Sequence, residues 1–181
     1  ELYNGEWVGQ LRHGRGKVVS KDGSTYEGYW MNGKKCGQGR MIHVDGSTFL
    51  GYWKDDMMHG TGTYSHSDGA QYEGEWQNDQ HHGMGKETWE DGAVYQGQYE
   101  NGKKHGTGRF VWQDGSTFEG SFVRNKMEGT GSYQWTDGRK YNGEWQDNMM
   151  HGFGIFTFED GRQYHGSYVN DKKEGQGVFT W

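Results

Sequence analysis

The chain repeats one pattern at a constant interval of 23 residues along its whole length, without insertion or deletion. Each repeat begins with an aromatic residue, followed by a glycine two positions later and a second aromatic residue two positions after that. The eight repeats start at Tyr3, Tyr26, Phe49, Tyr72, Tyr95, Phe118, Tyr141 and Tyr164. Short units of this kind bury their apolar surface by stacking on their neighbours rather than around one globular core. Residues 1–181 therefore predict seven complete units and a truncated eighth, and we expect a fragment of a longer array.

Each unit carries the pattern of two short antiparallel β-strands. Alternation along residues 72–76 puts Tyr72, Gly74 and Trp76 on one face, and an Asp-Gly pair (Asp68 and Gly69) precedes them. The aromatic residues of both strands share a face only if the connecting loop has an odd number of residues, because a one-residue slip reverses every side chain. A three-residue loop with a left-handed glycine meets this condition. The predicted fold class is all-β: an elongated single antiparallel β-sheet built from consecutive 23-residue hairpin repeats.

Glycine stands at four positions of the repeat, which account for 31 of the 34 glycines. An aromatic ring that lies flat on a sheet needs room on the neighbouring strand, and a glycine there supplies it while the ring covers the glycine backbone. Only 30% of residues are hydrophobic but 16% are aromatic, and proline is absent. We therefore expect packed aromatic rings to replace a second layer, over strands that have no proline to interrupt their hydrogen bonds.

The motifs YEGEW at residues 72–76, HGTG at residues 59–62 and the closing DG resemble the MORN repeat, and the resemblance covers essentially the whole chain. Cys36, Glu128 and Glu174 depart from the usual histidine, and Glu87 takes an aromatic position. The resemblance implies a non-enzymatic scaffold or adaptor in a cytoplasmic, cytoskeleton-associated assembly, at or near a membrane. The alternative that it implies is a phospholipid-binding module.

Two sets of aromatic residues are predicted to bind proteins. Tryptophan and tyrosine are frequent at interaction hot spots, which predicts a partner-binding groove along the aromatic face. An uncapped array also exposes strand edges, which predicts an end-to-end homodimer. The groove residues are Trp30, Trp53, Trp76, Tyr99, Tyr26 and Tyr72, and the dimerisation residues are Phe179, Trp181 and Tyr168.

The loop before the histidine position is rich in lysine and methionine, whereas the Asp-Gly turns lie at the opposite rim. The pattern therefore predicts one basic and one acidic edge. The formal net charge of −6 opposes binding to anionic membranes, because attraction needs clustered basic residues worth about 1 kcal/mol each. If lipid binds, we expect the basic edge to carry it, through Lys34, Lys35, Lys103, Lys104, Lys172 and Lys173.

The histidines recur with the repeat, so their spacing reflects the lattice and indicates no metal site within one chain. Zinc held between two chains, by Cys36, His59 or the adjacent His81 and His82, is an alternative. No catalytic set, phosphate-binding loop or cofactor motif stands out from the repeat, and the aromatic face lacks the basic groove of a nucleic-acid binder.

The face opposite the aromatic stripe differs between repeats. Most repeats present polar side chains there, but adjoining strands of the second and third repeats bring apolar residues together. Two interpretations stay open, an auxiliary mini-core and a partner site. The residues are Tyr29, Met31, Ile42, Leu50 and Tyr52.

Overall fold

The computed structural model describes residues 1–181, and every regular element in it is a β-strand. Sixteen antiparallel strands belong to one open sheet in chain order. The predicted all-β sheet of consecutive antiparallel hairpins is therefore confirmed. The chain divides into two compact units, Glu1–Glu90 (the first unit) and Asp91–Trp181 (the second unit).

Each unit contains eight strands, of which the first strand of every hairpin is shorter than the second. In the first unit they are β1 Leu2–Val8, β2 Leu11–Val19, β3 Thr25–Met31, β4 Lys34–Ile42, β5 Thr48–Lys54, β6 Met57–Ser65, β7 Gln71–Gln77 and β8 Gln80–Thr88. In the second unit they are β9 Val94–Glu100, β10 Lys103–Val111, β11 Thr117–Val123, β12 Lys126–Gln134, β13 Lys140–Gln146, β14 Met149–Thr157, β15 Gln163–Val169 and β16 Lys172–Thr180.

The Asp-Gly connections have three-residue loops, as the shared aromatic face requires. Between β6 and β7, the Gly69 N–H donates to the His66 carbonyl at 3.1 Å, and the His66 N–H donates to the Ala70 carbonyl at 2.8 Å. Gly69 has a φ of 97°, in the left-handed region that glycine adopts without steric cost. The carboxylate of Asp68 accepts a hydrogen bond from the Ala70 N–H at 2.9 Å, which closes an Asx-turn.

The connections at the other rim are two-residue turns, which the sequence pattern identified only as a loop. Asp55 and Asp56 have φ angles of 51° and 69°, and two consecutive residues with positive φ define a type I′ turn. A β-bulge follows between β5 and β6, where the pair Gly51–Gly62 is succeeded by Trp53–Met58. The bulge adds two residues to the longer strand, so Trp53 and Met58 still lie on the same face.

A row of paired glycines crosses the middle of the strands in each unit. Gly62 pairs with Gly51 on one side and with Gly74 on the other. A Cβ atom on Gly51 would lie 2.5 Å from the Gly62 Cα and 2.6 Å from the Thr61 carbonyl oxygen. Residue 51 must therefore be glycine because neighbouring backbones approach closely, as well as because the Phe49 ring lies over the pair.

The core is a single layer of aromatic rings that pack edge to face along this glycine row. The Tyr26 ring contacts Trp30 of its own repeat and Trp53 of the next, with centroid distances of 5.2 Å and interplanar angles of 88° and 84°. The Tyr26 hydroxyl donates to the Tyr29 carbonyl at 3.0 Å, and the Trp53 indole N–H donates to the Gly39 carbonyl at 3.2 Å. Burial raises the pKa of Tyr26. The Tyr26 and Trp53 rings are thus buried with their polar atoms satisfied.

Consecutive hairpins are also joined at the type I′ turns. The Asp79 N–H donates to the Met58 carbonyl at 3.0 Å, and the Asp79 carboxylate accepts from the Met58 N–H at 2.7 Å. Each such turn is therefore fixed to the hairpin that precedes it. The same pair of bonds links Asp56 to Lys35, Asn125 to Lys104, Asn148 to Met127 and Asp171 to Met150.

Three Asp-Gly turns contain an aspartate–serine pair that depends on the charge of the carboxylate. The Asp45 carboxylate accepts hydrogen bonds from the Ser47 hydroxyl at 2.6 Å and the Ser47 N–H at 2.9 Å. These bonds, the hydroxyl bond first, lower the pKa of Asp45. Hydrogen bonds from the serine two residues later likewise lower the pKa values of Asp22 and Asp114.

We expect these turns to lose stability in acid. Their native pKa values lie below the unfolded value of about 3.9, so their contribution is complete above that pH and is lost as the pH falls through the native pKa. The thermal midpoint should therefore fall between about pH 5 and pH 3. The triple variant Asp22→Asn, Asp45→Asn and Asp114→Asn keeps an accepting oxygen and should show a smaller fall. An equal fall in both proteins would contradict this account.

Candidate functional site

The predicted partner-binding groove forms the hydrophobic core. All six of its residues belong to the aromatic layer, and each of them is at most 7% exposed. A partner bound on this face would therefore contact the side chains that surround the rings. The sequence predicted instead an open groove in which the rings themselves are accessible. The six are Tyr26, Trp30, Trp53, Tyr72, Trp76 and Tyr99.

Half of the predicted lysine edge lies on the aromatic face and covers these rings. The Nζ atom of Lys35 is 4.9 Å from the centroid of Trp53 and 5.2 Å from that of Tyr26. Burial lowers the pKa of Lys35. Lys104 and Lys173, at the same repeat position, lie over aromatic rings in the second unit. The side chains of these three lysines lie over the aromatic rings of the core.

Other lysines at this rim lie beside carboxylates. The Lys34 Nζ lies 3.5 Å from the Asp55 carboxylate, and the Lys126 Nζ lies 2.5 Å from the Asp147 carboxylate. Asp55 and Asp147 stand in the type I′ turns, so this rim carries both signs of charge. The prediction of one basic and one acidic edge is wrong, because the turns place carboxylates directly beside the lysines. Lys103 and Lys172 are exposed, but the mixed rim does not favour an anionic lipid surface.

The residues predicted to clasp zinc do not form a metal site within the chain. No group of three or more histidine, cysteine or acidic side chains is arranged to hold a metal ion. His81 stacks flat on the Tyr72 ring with a centroid distance of 3.6 Å. His82 pairs with Glu75 on the opposite face, so the two adjacent histidines point away from each other. Cys36 and His59 line one groove of about 670 Å³, but zinc there would need ligands from a second chain.

The second unit carries a continuous row of aromatic side chains that the sequence reasoning missed. We call it the aromatic ladder. Neighbouring rings along it have centroid distances of 4.6, 5.1, 4.6, 5.5 and 4.9 Å. All of its rings are half-buried, so each keeps part of its surface open to solvent. In order along the row, the residues are Phe110, Trp112, Tyr133, Trp135, Phe156 and Phe158.

The strand ends and Asp-Gly turns hold the ladder in place. Phe110 pairs with Tyr95 and Phe118, which puts it on the aromatic face beside the core. Trp112 begins the next turn, where its N–H donates to the Ser116 carbonyl at 2.9 Å. The Tyr133 hydroxyl donates to the Ser116 hydroxyl at 3.1 Å. The ladder is therefore a preorganised surface on rigid elements.

Two arginines beside the ladder are paired with carboxylates, and the Lys104 and Lys173 ammonium groups lie near its two ends, 5.8 Å from the Phe110 centroid and 5.3 Å from the Phe158 centroid. The Arg139 guanidinium lies 5.3 Å from the Trp135 centroid, and that of Arg162 lies 5.5 Å from the Phe158 centroid. Each arginine donates from Nε to the aspartate two residues earlier at 2.7 Å. The backbone N–H of each arginine makes the largest contribution to lowering the pKa of that aspartate. A cleft of about 420 Å³ between successive turns is lined by Arg139, Phe158 and Arg162.

The indole groups of the ladder differ from those of the core. In the core, the N–H groups of Trp30, Trp53 and Trp145 donate to glycine carbonyls at 3.1 to 3.2 Å. Trp112 and Trp135 make no hydrogen bond from the indole nitrogen, and neither nitrogen is buried. The ladder thus offers partly exposed rings and unused donors, which is the combination of an interaction surface.

A spacing in the sequence could have identified the ladder. The second unit has two aromatic residues separated by one position shortly before the Asp-Gly pair, in the segments FVWQDG, YQWTDG and FTFEDG. The corresponding segments of the first unit are VVSKDG, MIHVDG, YSHSDG and ETWEDG, the last of which runs into the second unit, and none of them contains two residues of the Phe, Tyr or Trp type. The aromatic residues that begin and end the first strand occur in every repeat, so they do not reveal this difference between the two halves of the chain.

The apolar patch on the opposite face of the first unit is exposed. Tyr29, Leu50 and Tyr52 are 38%, 62% and 44% exposed, so the patch is not an auxiliary core. The hydroxyls of Tyr29 and Tyr52 accept hydrogen bonds from Arg15 and Gln38, both at 3.0 Å. Met31 and Ile42 are also exposed.

The residues predicted to dimerise differ in accessibility. Phe179 and Trp181 are 46% and 90% exposed, whereas Tyr168 is 2% exposed. Burial raises the pKa of Tyr168 to about 12. Tyr168 is therefore a core residue, and only Phe179 and Trp181 have surface that a second copy could contact.

A comparison with solved structures finds a similar fold in a protein of very different sequence. The TCP domain of SAS-4 from Drosophila melanogaster, in complex with a proline-rich motif of Ana2, is 12% identical with a TM-score of 0.51, over 86% of this chain and 85% of that one. The TCP10 domain of CPAP from Danio rerio is 11% identical with a TM-score of 0.48, over 84% of this chain and 72% of that one. No curated protein matches this sequence.

The repeats themselves match a family model along the chain. The matched segments are 3–25, 26–48, 49–71, 72–94, 95–117, 118–138, 141–161 and 164–181. They begin at the same eight aromatic residues that open the sequence pattern. The structure contains no helix long and apolar enough to cross a membrane. The chain belongs to the MORN-repeat family.

Proposed function

We propose that this array is a non-enzymatic scaffold or adaptor that holds a proline-rich segment of a partner protein on the aromatic ladder. The observation that carries the proposal is the continuous row of half-buried rings, with open indole donors, in the second unit. Proline-rich segments dock in aromatic-lined grooves because their preformed conformation loses little entropy on binding. The similar fold of the SAS-4 TCP domain, which is in complex with a proline-rich motif, supports the same class of partner.

The pairing of both ladder arginines with aspartates favours this partner over charged ones. Arg139 and Arg162 each lie beside an aromatic ring and are paired with an aspartate. Phosphorylated segments and nucleic acids need unpaired cations. An uncharged, ring-rich segment needs only ring faces and hydrogen-bond donors, both of which the ladder supplies.

The test is the binding of a fluorescein-labelled ten-residue oligoproline, followed by anisotropy. Trp135→Ala should weaken binding by about tenfold or more, the equivalent of losing one stacked ring and its donor. Trp135→Phe keeps a ring, so its affinity for the oligoproline should lie between those of the wild type and Trp135→Ala. His66→Ala, at the same repeat position of the first unit, is the matched control and should bind like wild type. Absence of binding to the wild-type protein, or equal binding by Trp135→Ala and wild type, would overturn the proposal.

The setting that we propose is a cytoskeletal assembly in the cytoplasm, with self-association as a second property of the scaffold. Exposure of Phe179 and Trp181 supports self-association. Light scattering tests it: a dimeric mass that becomes monomeric in Trp181→Ala supports it, and a monomeric wild type contradicts it. Phospholipid and inter-chain zinc are not part of the proposal, because the lysine rim is mixed in charge and no metal-binding group is assembled.

A further inference from the structure

The ladder repeats at the same interval as the hairpins that carry it. From Trp112 to Trp135 the row passes through Tyr133 in steps of 5.1 and 4.6 Å. From Trp135 to Phe158 it passes through Phe156 in steps of 5.5 and 4.9 Å. Equivalent rings of successive hairpins are therefore separated by about two strand spacings, or about 9.6 Å.

This interval nearly equals the pitch of one extended conformation. A polyproline II helix has three residues per turn and a rise of about 3.1 Å, so it repeats about every 9.3 Å. A β-strand repeats its side chains about every 6.6 to 6.8 Å and an α-helix turns about every 5.4 Å, so neither stays in register with the hairpins. A polyproline II segment that runs across the strands meets each hairpin with the same face.

Donors follow the same period. The indole N–H groups of Trp112 and Trp135 have no partner within the protein. A polyproline II backbone makes no internal hydrogen bonds, so its carbonyls are available to accept from donors placed one turn apart. Ring faces and donors thus recur together on successive hairpins.

Resting on the proposed function, we propose that the ladder reads proline spacing: it takes a polyproline II segment with proline at every third residue. One turn lies on each of the hairpins that carry Trp112, Trp135 and Phe158. The proline rings pack on these aromatic faces, and the carbonyls between them accept from the two indoles. Additional hairpins of the same kind would extend the site by one turn each.

Two peptides of identical composition test this proposal on the intact chain. Both contain nine residues, with three prolines among alanine and serine. One has proline at the first, fourth and seventh positions, and its isomer has proline at the first, third and eighth, where no two prolines are separated by a multiple of three. The spaced peptide should bind at least about tenfold more tightly, since it seats three rings rather than one. Circular dichroism checks that both peptides populate polyproline II equally.

The outcomes separate this proposal from the proposed function. Equal affinity for the two isomers, with retained oligoproline binding, would overturn the spacing rule and leave proline-rich binding intact. Failure of oligoproline itself would overturn both. Trp112→Phe with Trp135→Phe keeps the rings but removes the donors, and should weaken the spaced peptide more than its isomer. Tighter binding of an oligothymidylate of similar length than of either peptide would identify the ladder as a single-strand nucleic-acid site and overturn the proposal.

Discussion

Gly51→Ala is expected to destabilise the protein by about 1 to 3 kcal/mol, and more if the strands must separate. The new Cβ would lie 2.5 Å from the Gly62 Cα and 2.6 Å from the Thr61 carbonyl oxygen. Both atoms belong to backbone that is fixed by the sheet, so no side chain can move aside. Chemical denaturation of the variant, compared with wild type at constant m-value, measures the change.

Gly62→Ala provides the contrast, because its main obstacle is a side chain. The new Cβ would contact the Phe49 ring, with the ring Cε2 at 2.6 Å, whereas the nearest backbone atom, the Gly51 Cα, lies at 3.1 Å. Phe49→Leu removes the ring. The double variant Gly62→Ala with Phe49→Leu should therefore be less destabilised than the sum of its parts. The coupling between Gly51→Ala and Phe49→Leu should be weaker, because removing the ring, whose Cζ lies 2.7 Å from the new Cβ, leaves both backbone contacts in place. Equal coupling in both pairs would contradict the distinction between backbone and ring contact.

Trp53→Ala is expected to cost about 3 to 5 kcal/mol, the usual range for removing a buried tryptophan. Trp53 is 7% exposed, packs edge to face on Tyr26 and Phe49, and donates to the Gly39 carbonyl. Its loss would leave a cavity in a core that has only one layer, together with an unpaired carbonyl.

Trp181→Ala is the matched control for that variant. Its side chain is 90% exposed, and exposed substitutions usually change stability by less than about 0.5 kcal/mol. Thermal unfolding of both variants should therefore show a large shift for residue 53 and almost none for residue 181. Similar shifts would mean that the aromatic face is not the core.

The fold could be predicted well from the sequence because the same local constraints recur in every repeat. Asp68 and Gly69 fix the three-residue loop, and the loop fixes the parity that brings Tyr64 and Tyr72 to one face. The glycine at position 62 indicates room for a ring. These constraints involve residues close together in the sequence, so they can be identified from the sequence alone.

The functional surfaces were less predictable because exposure is not local. Trp53 and Trp135 are both tryptophans beside glycine-rich strands, yet one is core and the other is half-buried. The difference arises from strand position, because Trp53 lies within β5 on the aromatic face whereas Trp135 begins an Asp-Gly turn. Lys35 of the preceding repeat lies over the Trp53 ring. That lysine was expected at a solvated rim, because the sequence pattern identified its segment only as a loop and did not reveal that β4 begins at Lys34.

The most direct test of the account is the indole N–H region of a two-dimensional ¹⁵N–¹H NMR spectrum during titration with the spaced proline peptide. We expect the signals of Trp112 and Trp135 to move, because their donors have no partner within the protein. The signals of Trp30, Trp53 and Trp76 should stay in place, because those donors are bonded to glycine carbonyls within the core. Movement of Trp30, Trp53 and Trp76 with Trp112 and Trp135 unchanged would contradict it and return the binding site to the groove that the sequence first indicated.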